Sequence, residues 1–277
     1  MHSILAAFAA LSLVRPTSTP PEVSSPAATA CQPLPVLKAP LAFVPGERLD
    51  FDLDALGARA GKLSLRVLSA REGALPVEAR VETNTFFSKV RRIKGVATSY
   101  LNPKTLRPIR YVEDGVENGV RKHAEVTYHP KERLLRLQYR TEDQPGEAVF
   151  RSENDALDAA GAIYLIRQLP LKEGKDVCFD IYGIRKLWRL SGKMEGKERL
   201  SLPLGEFEAW HLSGTAVRLD DPRQRREIHV WISNDKARLP LVAVGVIDLG
   251  AVRATLNAVY RPGEKSKRAN GQESLKW

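Results

Sequence analysis

The side chains that could move protons are few and scattered in this sequence. The histidines are His2, His123, His129, His211 and His229. None has a metal-binding spacing such as HxH or HExxH, so no metal site is expected. His211 in EAWHLSG and His229 in EIHVWIS each neighbour a tryptophan in a stretch with strand character. If those strands pair, the two imidazoles could meet Glu208 or Glu227 and support acid–base work. The plainer reading makes each an ordinary half-buried strand residue. The nucleophile signatures G-x-S-x-G and S-x-x-K are absent, and no cysteine lies near a histidine in the sequence. Ser88 has no base beside it. Asp220-Asp221 precedes a proline and reads as a turn, and Glu206 and Glu208 form a further carboxylate pair. No catalytic residue and no cofactor are expected.

Binding chemistry is better represented. FFSKVRRIKG sets Phe86 and Phe87 beside Arg91 and Arg92, and YGIRKLWRL sets Arg185 beside Trp188. An apolar wall with a cationic rim suits an amphiphile with an anionic head, or a membrane surface. These six residues are the expected ligand face. The competing reading is a basic strand edge that resists aggregation. VWISNDKARLPL, residues 230–241, is the stretch richest in functional groups. Its Asn234-Asp235 is turn chemistry, and Pro240 starts the next strand, so it reads as a hairpin with Lys236 and Arg238 solvated or paired with carboxylates.

These residues need strands to hold them. In ERLDFDLD, Leu49, Phe51 and Leu53 share one face and charged residues share the other, the pattern of a half-buried strand. GKLSLRVL, PVEARVETNTFF, KHAEVTYHP, RLLRLQYR and further segments repeat it, separated by turn clusters such as NPKT, EDGVENG and HPKE. One segment, NDALDAAGAIYLIRQLP, has helical spacing instead. It predicts a helix of about 13–15 residues capped by Asn154 or Asp155 and ended by Pro170, slightly weakened by Gly161. The expected fold is mainly β: a single antiparallel curved sheet, half-barrel or barrel-like, with one packed α-helix.

The N-terminus reads as an export signal. Ile4 to Val14 is apolar but shorter than the ~18–20 residues of a membrane span. A Pro/Ser/Ala-rich stretch follows. The domains are therefore a signal peptide and disordered leader over 1–30, one β domain over 31–262, and a flexible basic tail over 263–277. The two cysteines, Cys31 and Cys178, favour a disulfide in an oxidising compartment. Acylation of Cys31 as a lipid anchor is the alternative. The net charge of +10 favours anionic surfaces. Basic residues are not gathered on a helix or interleaved with aromatics in a nucleic-acid motif, so nucleic acid is not an expected partner.

FVPGERLDFDLDALGARAGKLSL, then FFSK, then VWISNDKARLPLVAVGVIDLGAVRATL together resemble an uncharacterised family of exported bacterial proteins, domain of unknown function family 3108. The opening PGE-x-L and AG-x-L and the closing W-I-S-x-D-x-x-R-x-P carry the likeness over most of residues 40–260. The resemblance implies an antiparallel β protein of the periplasm or outer envelope and supplies no catalytic residues. The expected function is non-enzymatic: an exported, monomeric envelope protein that binds a lipid-like or glycan ligand, or an envelope protein, in its concavity. An assembly factor without a small ligand is the second reading. A hydrolase of envelope polymers using His211, His229 and a carboxylate is the third, and it requires those groups to converge.

Overall fold

The computed structural model describes residues 31–37, 39–247 and 250–269. The expected signal peptide and leader, and the last residues of the tail, lie outside them. Within the unit Cys31–Trp277, sixteen strands form one sheet. The first wing is a meander of β1 (Arg48–Ala55), β2 (Ala58–Val67), β3 (Leu75–Thr83), β4 (Ile93–Leu101), β5 (Pro108–Glu117), β6 (Val120–His129), β7 (Leu134–Thr141) and β8 (Gln144–Arg151). Then come β9 (Ala156–Asp158) and the helix α1 (Ala159–Ile166). The second wing is β10 (Asp176–Gly183), β11 (Lys186–Leu202), β12 (Gly205–Arg218), β13 (Arg225–Ser233), β14 (Pro240–Ile247) and β15 (Gly250–Tyr260). β1 pairs antiparallel with β15, so the first strand and the last long strand join the wings at the centre of the sheet. Among the described residues the one parallel pairing is β9 with β10.

Alternation decides which face is buried. Leu49 and Phe51 of β1, Leu65 and Val67 of β2, and Val230 and Ile232 of β13 enter one core, which α1 completes with Ala160, Tyr164 and Leu165. The sheet rolls around the helix until its wings overlap. Phe179 and Leu190 pack into this core. Tyr182 and Leu187, on the opposite face of the same two strands, pack against Tyr111, Val126, Tyr128, Leu135 and Leu137 of the first wing. The rings of Tyr111 and Tyr182 meet edge-on at 5.7 Å. Register shifts at Asp50/Phe51, Leu53/Asp54, Tyr100/Leu101, Met194/Gly196 and Trp231/Ile232 mark irregularities of the kind that bend a sheet. The expected curved antiparallel sheet with one packed helix is the fold observed.

The helix is shorter than its periodicity predicts. Ala156–Asp158 pair with Asp180–Tyr182 as β9, so strand pairing overrides helical propensity there. The cap is Asp158, whose Oδ1 accepts from Gly161 N at 2.8 Å. Asn154 and Asp155 instead accept from the backbone N–H groups of Cys31 and Leu34 and hold the N-terminal segment. Gly161 has a packing role: a Cβ there would stand 3.2 Å from Leu101 Cδ2.

Burial raises the Asp158 carboxyl to about 6, against the hydrogen bonds that Gly161 N and Ser99 Oγ donate to it. An acid with a raised folded pKa holds its proton longer in the folded chain. Its contribution is therefore fully present below its ordinary 3.8 and is lost as pH rises through about 6. Asp158→Asn cannot titrate. Relative to that variant, the wild type should lose roughly 3 kcal/mol between about pH 4 and about pH 7. Urea unfolding of both proteins across this range checks it, and parallel stability curves would refute it.

The end of the roll opposite the β1–β2 turn is tied by buried charge. Arg167, just after α1, and Glu47, just before β1, are both fully buried. Arg167 Nη1 and Nη2 donate to the two Glu47 oxygens at 2.6 and 3.1 Å. Arg167 also donates to the carbonyls of Ala237 and Arg238 at 3.0 Å. Arg261 Nε donates to Glu47 Oε2 at 3.0 Å. The stretch 230–241 is the hairpin between β13 and β14, with Asp235 Oδ1 accepting from Ser233 Oγ and from the N–H groups of Ala237 and Arg238. Arg238 departs from expectation. It is half-buried, and it donates to the carbonyls of Arg167 and Leu169 at the end of the helix rather than to a carboxylate.

Cys31 and Cys178 form a disulfide. At the other terminus, β16 (Lys267–Arg268) pairs with Ala258 and Val259 of β15, and Ala269 is buried. Strand pairing thus runs past residue 262.

Candidate functional site

Antiparallel meanders place alternate turns at one end. The connections at 56–57, 84–92, 118–119 and 142–143 share an end of the first wing, and 184–185 shares the same end of the second, because Ala55 lies opposite Val252 across the central seam. Five of the six expected ligand-face residues, all but Trp188, sit in these connections. They do not form one wall. Phe86 is exposed, whereas Phe87 is buried against Ala55, Ala60 and Val252. Asn84 Oδ1 accepts from Phe87 N at 2.7 Å and turns the chain inward there. Arg92 is exposed and its backbone N–H bonds Asn118 Oδ1. Trp188 is buried on β11 beneath the guanidinium of Arg226, 4.6 Å from the ring centroid.

Arg91 reaches, through Glu117, a groove on the inner face of β3–β6, and Arg185 lies apart from it, against Tyr139 and Thr141 of β7. The groove has a volume of about 280 Å³. Its floor is made of residues that pair across the strands: Leu63 opposite Val81, Val81 opposite Gly95, Gly95 opposite Gly115, and Ala79 opposite Ala97. Small side chains at these positions keep the trough deep. A Cβ on Gly115 would stand 3.1 Å from Lys94 O, so the two backbones could not lie as they do. The rim is ionic. Arg91 Nε donates to Glu117 Oε1 at 2.6 Å and Lys122 Nζ donates to Glu117 Oε2. The hydrogen bond from Lys122, then that from Arg91, holds the Glu117 carboxyl below its usual range. Glu113 lies deeper. Burial pushes its carboxyl up, against the hydrogen bond that Tyr111 Oη donates at 2.8 Å and the charge of Arg185. Arg185 Nη1 donates to Thr141 Oγ1 at 3.2 Å, and its guanidinium lies 4.9 Å from the Tyr139 ring centroid. Gly146 opposite Tyr139 leaves room for the ring to lie across it, since a Cβ there would stand 2.3 Å from Tyr139 Cζ and displace the ring.

The third expected convergence also occurs, with a different acid. His211 and His229 alternate with the core residues Leu212 and Val230, so they lie on the outer face of β12–β13. His211 Nε2 stands 3.0 Å from His229 Nδ1. His211 Nδ1 is 2.8 Å from Glu198 Oε1. The carboxylate is Glu198, in place of Glu208 or Glu227. Glu208 turns to Asn234 and Lys197. The sequence hid Glu198 because the irregularity at Met194/Gly196 shifts the β11 register by one residue and brings Gly196 opposite His211. Ser213, opposite His229, donates its hydroxyl to Glu195 rather than to an imidazole, so it is not an activated nucleophile.

A rolled antiparallel sheet around one short helix, with a groove under its hairpin turns, defines a barrel-like β protein. The chain belongs to the family described as a protein of unknown function, DUF3108, which matches residues 50–257. No curated protein matches it. Among solved structures it is similar to a β-barrel-like protein of the domain of unknown function DUF1849 from Brucella abortus, with TM-score 0.56 and 8% identity, covering 79% of this chain and 98% of that one. A hypothetical protein from Chlamydia trachomatis aligns with TM-score 0.33 and 12% identity over 83% of this chain and 94% of that one. No described helix is long and apolar enough to cross a membrane.

Proposed function

We propose that the chain is an exported cell-envelope protein that binds a lipid-like ligand in the groove on β3–β6, without catalysis. The observation that carries this reading is the floor of Leu63, Ala79, Val81, Gly95, Ala97 and Gly115 beneath an ionic rim of Glu117 and Lys122, with Arg91 bonded to Glu117. An apolar chain would lie along such a floor while its head met the rim. The disulfide supports export, because such bonds persist in oxidising compartments. Glycan binding fits this floor less well, since it offers few hydrogen-bonding groups.

The test is uptake of N-phenyl-1-naphthylamine by the purified protein. Fluorescence should rise on binding, and Ala97→Phe, which fills the floor, should weaken binding at least tenfold (~1.4 kcal/mol) while leaving the fold intact by circular dichroism. Equal binding by wild type and Ala97→Phe would remove the groove from consideration. Failure of the wild type to take up any probe, with one dominant protein cross-linked in envelopes, would favour an assembly factor instead.

A further inference from the structure

We infer that His211 and His229 form a binding site for a divalent transition-metal ion on the outer face of β12–β13, with Glu198 as its positioning residue. The site is independent of the groove, which lies on the inner face.

The argument begins with the proton on His211. Glu198 Oε1 accepts from Nδ1, so the hydrogen sits there and Nε2 carries a lone pair. A carboxylate behind a histidine, fixing its tautomer and raising the basicity of the far nitrogen, is the arrangement found behind metal-ligating imidazoles. Glu198 is itself held, since Trp231 Nε1 donates to its Oε2 at 3.0 Å. Trp231 also stacks on His211, with centroids 4.4 Å apart and planes 6° from parallel. The imidazole is therefore locked in orientation from its face and from its edge.

The second nitrogen is close by but faces the first along their hydrogen bond. With His211 held, it is the His229 ring that must turn for both lone pairs to meet one ion. Two nitrogens bound tetrahedrally at the usual metal–nitrogen length lie about 3.3 Å apart. The observed gap is 3.0 Å. In the ion-free protein His229 Nδ1 carries the hydrogen that spans this gap. Moving that hydrogen to His229 Nε2, the other neutral tautomer, frees the second lone pair. Two nitrogen–metal bonds then replace one hydrogen bond with no net change in protonation. Acidic neighbours favour the cation locally in a chain of net charge +10: Glu195 bonds Ser213, which faces His229, and Glu227 lies two residues along the same face.

Among the described residues no group of three or more His, Cys, Asp or Glu side chains surrounds a common point. Water therefore completes the coordination, and the His211 side chain is 15% exposed. Such a site is exchangeable and prefers Cu²⁺ among divalent ions.

The probe is Cu²⁺ alone, titrated into the full chain carrying His2→Ala to remove the histidine beside the terminal amine. Tryptophan fluorescence should be quenched saturably at one equivalent. Affinity should fall at least tenfold in His211→Gln and in His229→Gln, and by roughly 10–100-fold in Glu198→Gln. Quenching unchanged by either histidine substitution overturns the site. Electron paramagnetic resonance of the copper-loaded parent gives a readout that does not depend on any variant folding. Two coupled imidazole nitrogens support the site, and one or none overturns it.

Discussion

Replacing Arg167 with methionine should destabilise the protein by roughly 3–5 kcal/mol. Both Arg167 and Glu47 are fully buried, so the substitution leaves a carboxylate in the interior with one of its two arginine partners gone. Arg261 remains, but it reaches only Glu47 Oε2 and is itself partly exposed. The carbonyls of Ala237 and Arg238 lose their donor as well. Methionine fills much of the volume, so the loss reads out charge and hydrogen bonding more than a cavity. Arg133→Met is the control, because its pair with Glu153 is exposed on both sides and should move stability by less than about 1 kcal/mol. Urea unfolding at neutral pH compares the two variants. If Arg167→Met costs no more than Arg133→Met, the tie between Glu47, the end of α1 and the β13–β14 turn does not stabilise the fold as argued.

The disulfide is the second large term. Cys31 and Cys178 are 147 positions apart. On the chain-entropy model, closing a loop of that length stabilises by about 5 kcal/mol, and measured bridges commonly give 2–4. The double variant Cys31→Ser, Cys178→Ser should therefore lose roughly 2–5 kcal/mol. The hydrogen bonds from Cys31 N to Asn154 and from Leu34 N to Asp155 would persist in part, and Arg107 bridges Asp155 and the Leu34 carbonyl. Unfolding midpoints of oxidised wild type, reduced wild type and the double variant decide the matter. The latter two should coincide below the first, and a common midpoint for all three would show that the staple adds nothing.

Strand alternation was legible because apolar and polar side chains take opposite faces of most strands: Leu49 and Phe51 enter the core, and Asp50 and Asp52 on the other face are covered by Arg48 and Arg59. The helix was legible but too long, because Ala156–Asp158 have helical spacing and are pulled into the sheet by β10. The overlap of the wings was invisible in DVCFDIYGI, since burial on both faces breaks alternation without saying what covers each face. Of the expected ligand face, Arg91 meets the groove rim through Glu117, while Arg185 packs on Tyr139 and Phe87 packs locally. Adjacent aromatic and basic residues do not reveal which side chain a turn will tuck inward. The groove floor had no signal of its own, because Ala79, Gly95, Ala97 and Gly115 acquire meaning only once the register sets them side by side. Arg238 was misplaced for a similar reason: its acceptors, the Arg167 and Leu169 carbonyls, lie 69–71 residues away along the chain.

The central seam has a kinetic consequence. Every other long pairing is a hairpin between neighbours, which closes quickly, whereas Arg48 must wait for Tyr260. A chain emerging residue by residue can zip each wing as it appears, but β1 and β14 stay as bare edges until β15 arrives. Bare edges recruit other chains. Truncation just before Gly250, which keeps both wings but removes β15, should thus yield two half-zipped ribbons prone to aggregation.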